Sequence, residues 1–489
     1  MKDAYDFIVL GGGSAGLVAA GGAASLGARV ALVEKNLLGG DCLYTGCVPS
    51  KTLIKSARFA HQLKRAADFG FEIPDFKFAN DSFASITSRV QSVIESIEPR
   101  DAPEVFEKMG VEVIFGSPGF VNPHEIEVAL KNSAGTRRLK AKRFCIATGS
   151  RPAVPPIQGL KEAGFMTNEE IFHLKKMPPR LIVLGGGAIG LELGQSFRRF
   201  GGTVTIVEMA ERILIKEDEE VSDSATRILE NEGVRILTRA KVVRAKKGEA
   251  NTKILIVETA GGEESEIVAD EILVAAGRQP NTSGLNLEKA GVRFDEKRIY
   301  TNEYLQTSQK HIFAAGDVTA HFQFTHMADY EAQIVIRNAF APFPFKKKTD
   351  FRVVPWATFT DPEIARVGLT EAKAREKFGI DKVKVYKISF ADNDRAQAES
   401  ETEGFAKVVA HKNRIVGAHV LGAHAGEIIH EFVWAMRENL KVSELNKIVR
   451  VYPTLAKITQ AVGTEATLET LKSPFVRKWF ARYLKIWRT

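Results

Sequence analysis

The chain has 489 residues, 44% apolar and 26% charged, with a formal net charge of +8 and three cysteines. That length and composition predict an ordinary globular protein of about three or four domains. No apolar stretch is long enough for a spanning helix, and no charged leader with an apolar core precedes the first strand. The basic excess is spread widely without a nucleic-acid motif, so no nucleic-acid partner is expected. The cytoplasm is the default address, and cysteines there are more often catalytic than structural.

Residues 5 to 34 read as strand, Gly-rich turn, helix, strand. Asp6–Leu10 is a buried strand, and Gly11, Gly13 and Gly16 follow it, with Ser14 between. A helix runs to about Leu26, and a second strand over Arg29–Val33 ends in Glu34, 23 residues after Gly11. The first Gly permits the tight turn and the second lets a pyrophosphate approach the backbone. The third lets helix and strand pack closely, which leaves the phosphate at the helix N-terminus. The acid is placed to accept hydrogen bonds from a ribose diol.

Next comes Gly39-Gly40-Asp41-Cys42-Leu43-Tyr44-Thr45-Gly46-Cys47-Val48-Pro49-Ser50-Lys51. Along a regular helix, residues five apart differ by about 7.5 Å in rise. A disulfide needs Cα atoms closer than about 7 Å, so the segment must bend, and Gly46 provides the freedom. Pro49 suits the first turn of a helix continuing through Leu63. A helix start, with Lys51 nearby, lowers a thiol pKa. Cys145, in an apolar strand, reads as a small buried hydrophobe.

The first device recurs. Leu181–Leu184 leads into Gly185, Gly187, Ile189 and Gly190, and Glu208 lies 23 residues after Gly185. One such fingerprint is weak; two with matching strands and acids imply two bound dinucleotides. Glu208 repels a 2′-phosphate, which favours NADH over NADPH, although Arg212 lies close in sequence.

These segments resemble the pyridine nucleotide-disulfide oxidoreductases, in the branch of dihydrolipoamide dehydrogenase and mercuric reductase, over about residues 4 to 470. Ala147-Thr148-Gly149-Ser150, Ala275-Ala276-Gly277-Arg278 and Ile312–Asp317 extend the likeness. The resemblance implies an α/β fold, with two Rossmann-like domains for FAD and NAD and an α+β C-terminal dimerisation domain. Its expected boundaries are 1–150 for FAD with the cysteine pair, 151–276 for NAD, 277–350 returning to the FAD domain, and 351–470 for dimerisation. It implies a homodimer in which Cys47 lies nearest the flavin and Cys42 exchanges with substrate. Lys51 pairs with Glu192 beside the flavin, and Thr148, Gly149 and Asp317 contact FAD. Gly277 lies on the NAD side. Phe324–Ala328 starts a helix facing the flavin pyrimidine, where His326, Met327 and Ala328 serve through their main chain.

The likeness breaks in the C-terminal region, where strands are expected near Val353–Phe359, Val383–Phe390, Phe405–Ala410 and Ile415–Leu421. Disulfide-reducing relatives carry His-Pro-Thr-x-x-Glu there; this chain has Tyr452-Pro453-Thr454-Leu455-Ala456-Lys457. A tyrosine titrates near 10, whereas histidine titrates near neutrality, so fast proton shuttling in dithiol exchange is not expected from Tyr452. Mercuric reductases also lack that histidine, but they deliver the metal with a C-terminal cysteine pair. No cysteine follows Cys145 here. His424 and His430, on a predicted helix, read as packing or surface residues, and no metal site is expected.

Residues 471–489 form an expected tail helix. Ser473 is a plausible N-cap and Pro474 the first helical position. Phe475, Val476, Trp479, Phe480, Tyr483, Leu484 and Trp487 share one face, and Arg477, Lys478, Arg482, Lys485 and Arg488 occupy much of the rest. Two roles fit: an interfacial helix on the inner face of the membrane, or packing across a dimer. The leading function is hydride transfer from NADH to FAD, then to a Cys42–Cys47 disulfide and on to a disulfide, metal or other small-molecule or protein acceptor. The alternatives are a membrane-associated quinone-type reductase and a redox sensor or assembly subunit without turnover.

Overall fold

The computed structural model describes residues 3–73, 82–131, 133–342 and 344–488. Thr489, the last residue of the expected tail, lies outside them. The chain forms two compact units, Met1–Met209 with Arg239–Asp350, and Ala210–Thr238 with Phe351–Thr489.

In the first unit the opening strand, Ala4–Leu10, is central because Phe7, Ile8, Val9 and Leu10 leave no apolar surface in water. It pairs in parallel with Val30–Glu34 on one side and Thr136–Ile146 on the other. Val111–Asn122 and Ile312–Ala314 extend the sheet outward, and antiparallel Glu125–Leu130 bridges two of its strands. Near-continuous apolar runs are what a parallel sheet covered on both faces requires. The helix Ser14–Ser25 packs on it through alanines and glycines, whose small side chains let the backbones approach.

A second parallel set, Glu271–Val274, Arg180–Leu184 and Thr203–Val207, carries the helix Ala188–Arg199. Leu191, Leu193 and Phe197 are fully buried on that helix, each contributing about 1.5–3 kcal/mol. Its neighbour is the helix Cys47–Lys64, whose Lys64 Nζ donates to the Arg199 carbonyl at 2.9 Å. The segments around Thr148 and Gly277 meet as short antiparallel strands, Ser150–Pro152 with Arg278–Pro280.

The second unit holds a five-stranded antiparallel sheet, ordered Pro355–Thr358, Glu363–Gly368, Arg414–Gly422, Phe405–His411 and Val383–Ser389. Four of these strands match the sequence reading. Glu363–Gly368 escaped it because Asp361-Pro362 reads as a loop, yet the strand is buried between two partners. His424 stands just outside the helix Ala425–Arg437, in the left-handed region with φ +56°, so the predicted helix does not include it. His430 is on the helix and exposed.

Across that sheet Arg366 faces His419, and His419 faces Lys407. All three side chains are at most 4% exposed, and they meet Glu217, Asp218, Glu220 and Glu371. Burial raises the Glu217 carboxyl, but His419 and Arg366 overcome this and hold it below the ordinary range. Buried charges survive only when paired, and this row pairs cations with carboxylates.

Candidate active site

Each Gly-rich turn closes as its sequence requires. A Cβ on Gly11 would strike the Ala147 carbonyl, and Gly11 has φ +107°. A Cβ on Gly16 would strike Gly11 O, and one on Gly190 would strike Gly185 O. Gly13 and Gly187 differ: an added Cβ there meets nothing within 4 Å. Both stand at the N-caps of the helices Ser14–Ser25 and Ala188–Arg199, on which Ser14 and Ile189 lie in the first turn. Open space over a helix N-terminus fits a pyrophosphate, so the residues present suit a dinucleotide at both places. Glu34 accepts from Gly12 N at 2.6 Å, and Glu208 accepts from Gly186 N at 2.7 Å. Each acid is thus fixed at the lip of its own turn.

The cysteine segment bends where expected. A short helix, Gly40–Tyr44, stops at Thr45, and a new helix begins at Cys47. Gly46 is required by close approach, since a Cβ there would lie 2.8 Å from the Asp41 carbonyl. The structure holds the pair as free thiols, Cys42 half-buried and Cys47 exposed. The Cys42 thiol donates to the Cys47 sulfur; together with the Thr325 hydroxyl at 3.3 Å and the charge of Lys51, this holds the Cys47 thiol down to about 6 against the effect of burial. The same bond, with burial, pushes the Cys42 thiol up. A depressed thiol at a helix start is a nucleophile at neutral pH. Cys145 is wholly buried in its strand, where burial pushes its thiol up to about 12.

One turn beyond Cys47, Lys51 Nζ donates to Glu192 Oε2 at 2.8 Å, with the Glu192 side chain 6% exposed and that of Lys51 38%. The pair ties the helix Cys47–Lys64, which carries the second cysteine, to the helix Ala188–Arg199 after the second cradle. Asp317 Oδ2 accepts from Ser150 Oγ at 2.5 Å, Ser150 Oγ accepts from Arg278 Nε at 2.7 Å, and Arg278 reaches Asp41 at 3.3 Å. Burial raises the Asp317 carboxyl, opposed by Ser150 and Arg278. Thr148 is locked by two bonds with Asn281, and Gly149 O accepts from Asn281 N at 2.9 Å. Gly277 has φ +116°, and its carbonyl accepts from Ala153 N.

The helix Thr325–Phe340 starts beside the cysteines. Met327 and Ala328 donate their N–H groups to Phe324 O, so Thr325 and His326 carry the first main-chain donors of the helix. The His326 ring is exposed and stacks on Phe324 at 5.4 Å, in keeping with a main-chain use. The sequence reading missed Thr325, Asp41, Ser150 and Arg278 as partners in the site. All four adjoin residues it did single out, and that adjacency was the available signal.

In the second unit Tyr452 is 66% exposed and donates to Asp394 Oδ2 at 3.0 Å. That bond raises its phenol above the ordinary value, so it stays protonated at neutral pH. Val449 and Val451 beside it are 97% and 77% exposed.

Comparison with known proteins agrees with this geometry. Residues 5–332 match the family pyridine nucleotide-disulphide oxidoreductase, and residues 354–462 match that family's dimerisation domain. The chain is 36% identical over 456 residues to a mercuric reductase of Staphylococcus aureus, covering 93% of this chain and 81% of that one. It is 33% identical over 478 residues to the mitochondrial dihydrolipoyl dehydrogenase of Pisum sativum, covering 97% and 93%. Among solved structures, the Cu(II) complex of the HOCl-induced flavoprotein disulfide reductase RclA from Escherichia coli superposes with a TM-score of 0.83 at 29% identity, covering 95% and 99%. Two dinucleotide cradles, a bent cysteine pair and a dimerisation domain therefore belong to one known design: the chain is a member of the pyridine nucleotide-disulphide oxidoreductases, FAD-dependent enzymes that pass electrons between NAD(P)H and a disulfide.

Proposed function

We propose that this chain uses NADH, and that electrons leave its flavin through Cys47 and Cys42 to a small oxidant. The observation that carries the reading is the Cys47 thiol, depressed to about 6 at a helix start and hydrogen-bonded to both Cys42 and Thr325. When bound, FAD supplies two-electron exchange between a nicotinamide and sulfur. The chain's residues then divide the remaining work. Cys47 holds negative charge at its sulfur, and Cys42, protonated and half-buried, supplies the thiol proton and meets the acceptor. Lys51, fixed by Glu192, sets a positive charge beside that sulfur. Reduction of the Cys42–Cys47 disulfide at neutral pH takes two electrons and one proton, breaking the S–S bond to leave the Cys42 thiol and the Cys47 thiolate, and reoxidation passes the two electrons to the acceptor and releases the proton.

NADH preference rests on Glu208, whose carboxylate would repel a 2′-phosphate. Arg212, the nearby cation in sequence, donates to the carbonyls of Leu214, Ile215 and Glu217 within its own unit. Tyr452 acts as a fixed hydrogen-bond donor in a homodimer, not as a proton shuttle. The domain limits 1–150, 151–276, 277–350 and 351–470 are part of this reading, as are a cytoplasmic address and a peripheral contact between the tail and the inner membrane face. Among the described residues no helix is long and apolar enough to cross a membrane.

The test is anaerobic turnover of FAD-loaded protein with NADH or NADPH against lipoamide, an aromatic disulfide, Hg(II), Cu(II) and a soluble quinone. The reading expects NADH to be favoured, and Cys42→Ser to lose turnover with its acceptor while NADH still reduces the flavin. Unchanged turnover in Cys42→Ser would remove the cysteine pair from the route.

A further inference from the structure

The helix Pro474–Trp487 buries none of its side chains and lies past residue 462, where the match to the dimerisation domain ends. At 100° per residue its side chains separate completely. Phe475, Trp479, Phe480, Tyr483, Ile486 and Trp487 fall within one half of the helix circumference and are 45–80% exposed. Arg477, Lys478, Arg482, Lys485 and Arg488 fill the other half, and no acid follows Glu469. The aromatic face is internally ordered: Trp479 stacks on Tyr483 at 5.8 Å with planes 4° apart, and Phe480 meets both edge-on.

A helix that packs into a protein core usually shows an aliphatic stripe. Here the exposed arc is dominated by Trp, Tyr and Phe, which suit the boundary between headgroups and acyl chains. Fourteen residues make about 21 Å of helix, too short for a hydrocarbon core of about 30 Å, so such a helix lies in the plane of the surface. Five cations without an acid complement phosphates. A continuous apolar arc favours a bilayer over nucleic acid, which offers no acyl layer.

Resting on the peripheral contact read above and adding its chemistry, we propose that Pro474–Trp487 is an in-plane anchor for a bilayer bearing anionic phospholipids. The aromatic arc enters the acyl boundary, and the basic arc pairs with headgroup phosphates. The test is flotation of the full-length, FAD-loaded protein with phosphatidylcholine vesicles, with and without phosphatidylglycerol, at physiological salt, alongside light scattering for oligomeric state. Flotation is expected with the anionic vesicles only. Arg477→Gln, Lys478→Gln and Arg482→Gln together should lower the partition coefficient about a hundredfold, at about fivefold per charge. Trp479→Ala with Trp487→Ala should also release the protein, with solution NADH oxidation unchanged in both variants.

Equal flotation on neutral vesicles would overturn the lipid chemistry while leaving a peripheral contact standing. Absence of flotation on either vesicle would overturn both. Variants that still float would remove this helix from the contact. Variants that instead dissociate the oligomer would assign the aromatic arc to a second copy and overturn the anchor.

Discussion

Cys42→Ala removes the hydrogen-bond donor that does most to hold the Cys47 thiol down to about 6. Without that donor the thiol climbs toward the ordinary value of about 8.5, with Thr325 and Lys51 the lowering influences left. At pH 7 a thiol of pKa 6 is about 90% ionised and one of pKa 8 about 10%. The alkylation rate at one pH understates that change, because a thiolate of lower pKa is the weaker nucleophile, with a Brønsted slope of about 0.4–0.5. The informative assay is the pH midpoint of iodoacetamide labelling at Cys47, read by mass spectrometry on reduced, FAD-loaded protein without oxygen. The midpoint should move from near 6 to above neutrality in Cys42→Ala, and Cys42→Ser, which keeps a hydroxyl donor, should fall between. An unmoved midpoint in Cys42→Ala would refute the reasoning. The sign carries over to stability. With the folded pKa below the unfolded one, the unfolded chain binds more protons between about pH 6 and 8.5, so this group's stabilisation of the reduced protein grows with pH across that window and is lost as pH falls through about 6.

Glu192→Gln leaves Lys51 an acceptor but no negative partner; NADH-dependent flavin reduction should slow about a hundredfold in stopped flow, with FAD content unchanged. Gly13→Ala and Gly11→Ala separate cofactor binding from folding. Gly13 has φ −80° and open space, so the fold should survive while FAD retention after gel filtration drops. Gly11→Ala forces a Cβ into the Ala147 carbonyl at φ +107°, and the apoprotein itself should melt lower, by more than about 1–3 kcal/mol of strain. Lys407→Met leaves Asp218, Glu220 and Glu371 facing one another; a loss of about 3 kcal/mol should lower the thermal midpoint of the second unit by roughly 5–10 °C. A change under a degree would show that the row is not a stabilising element.

Most of the catalytic unit was legible because its constraints are local. A Cβ on Gly16 would strike the Gly11 carbonyl and one on Gly190 the Gly185 carbonyl, and such short-range clashes leave a glycine spacing in the sequence. The bend at Gly46 followed from cysteine spacing and helix rise, although the glycine is needed for its closeness to Asp41 and not for a positive φ. Glu192 was found through resemblance alone; nothing in the run Gly190-Leu191-Glu192 says that its carboxylate meets a lysine 141 positions earlier. Thr325 and Arg278 escaped for the same reason. Their roles arise from contacts across the fold, and their own neighbourhoods carry no periodic signal. The row Arg366, His419 and Lys407 is the extreme case. Charged residues on strands ordinarily read as a solvent face, and only the register, with Glu217 and Asp218 laid over them, puts them inside.

Cys42 and Cys47 are proposed to store electrons in series with the flavin. Anaerobic dithionite titration of the oxidised, FAD-loaded protein counts that store directly. The wild-type chain should consume two molecules of dithionite per FAD, four electrons in all, two for the flavin and two for the disulfide, and Cys47→Ser should stop after the first two electrons. A wild-type protein that is fully reduced by one dithionite per FAD would contradict the account.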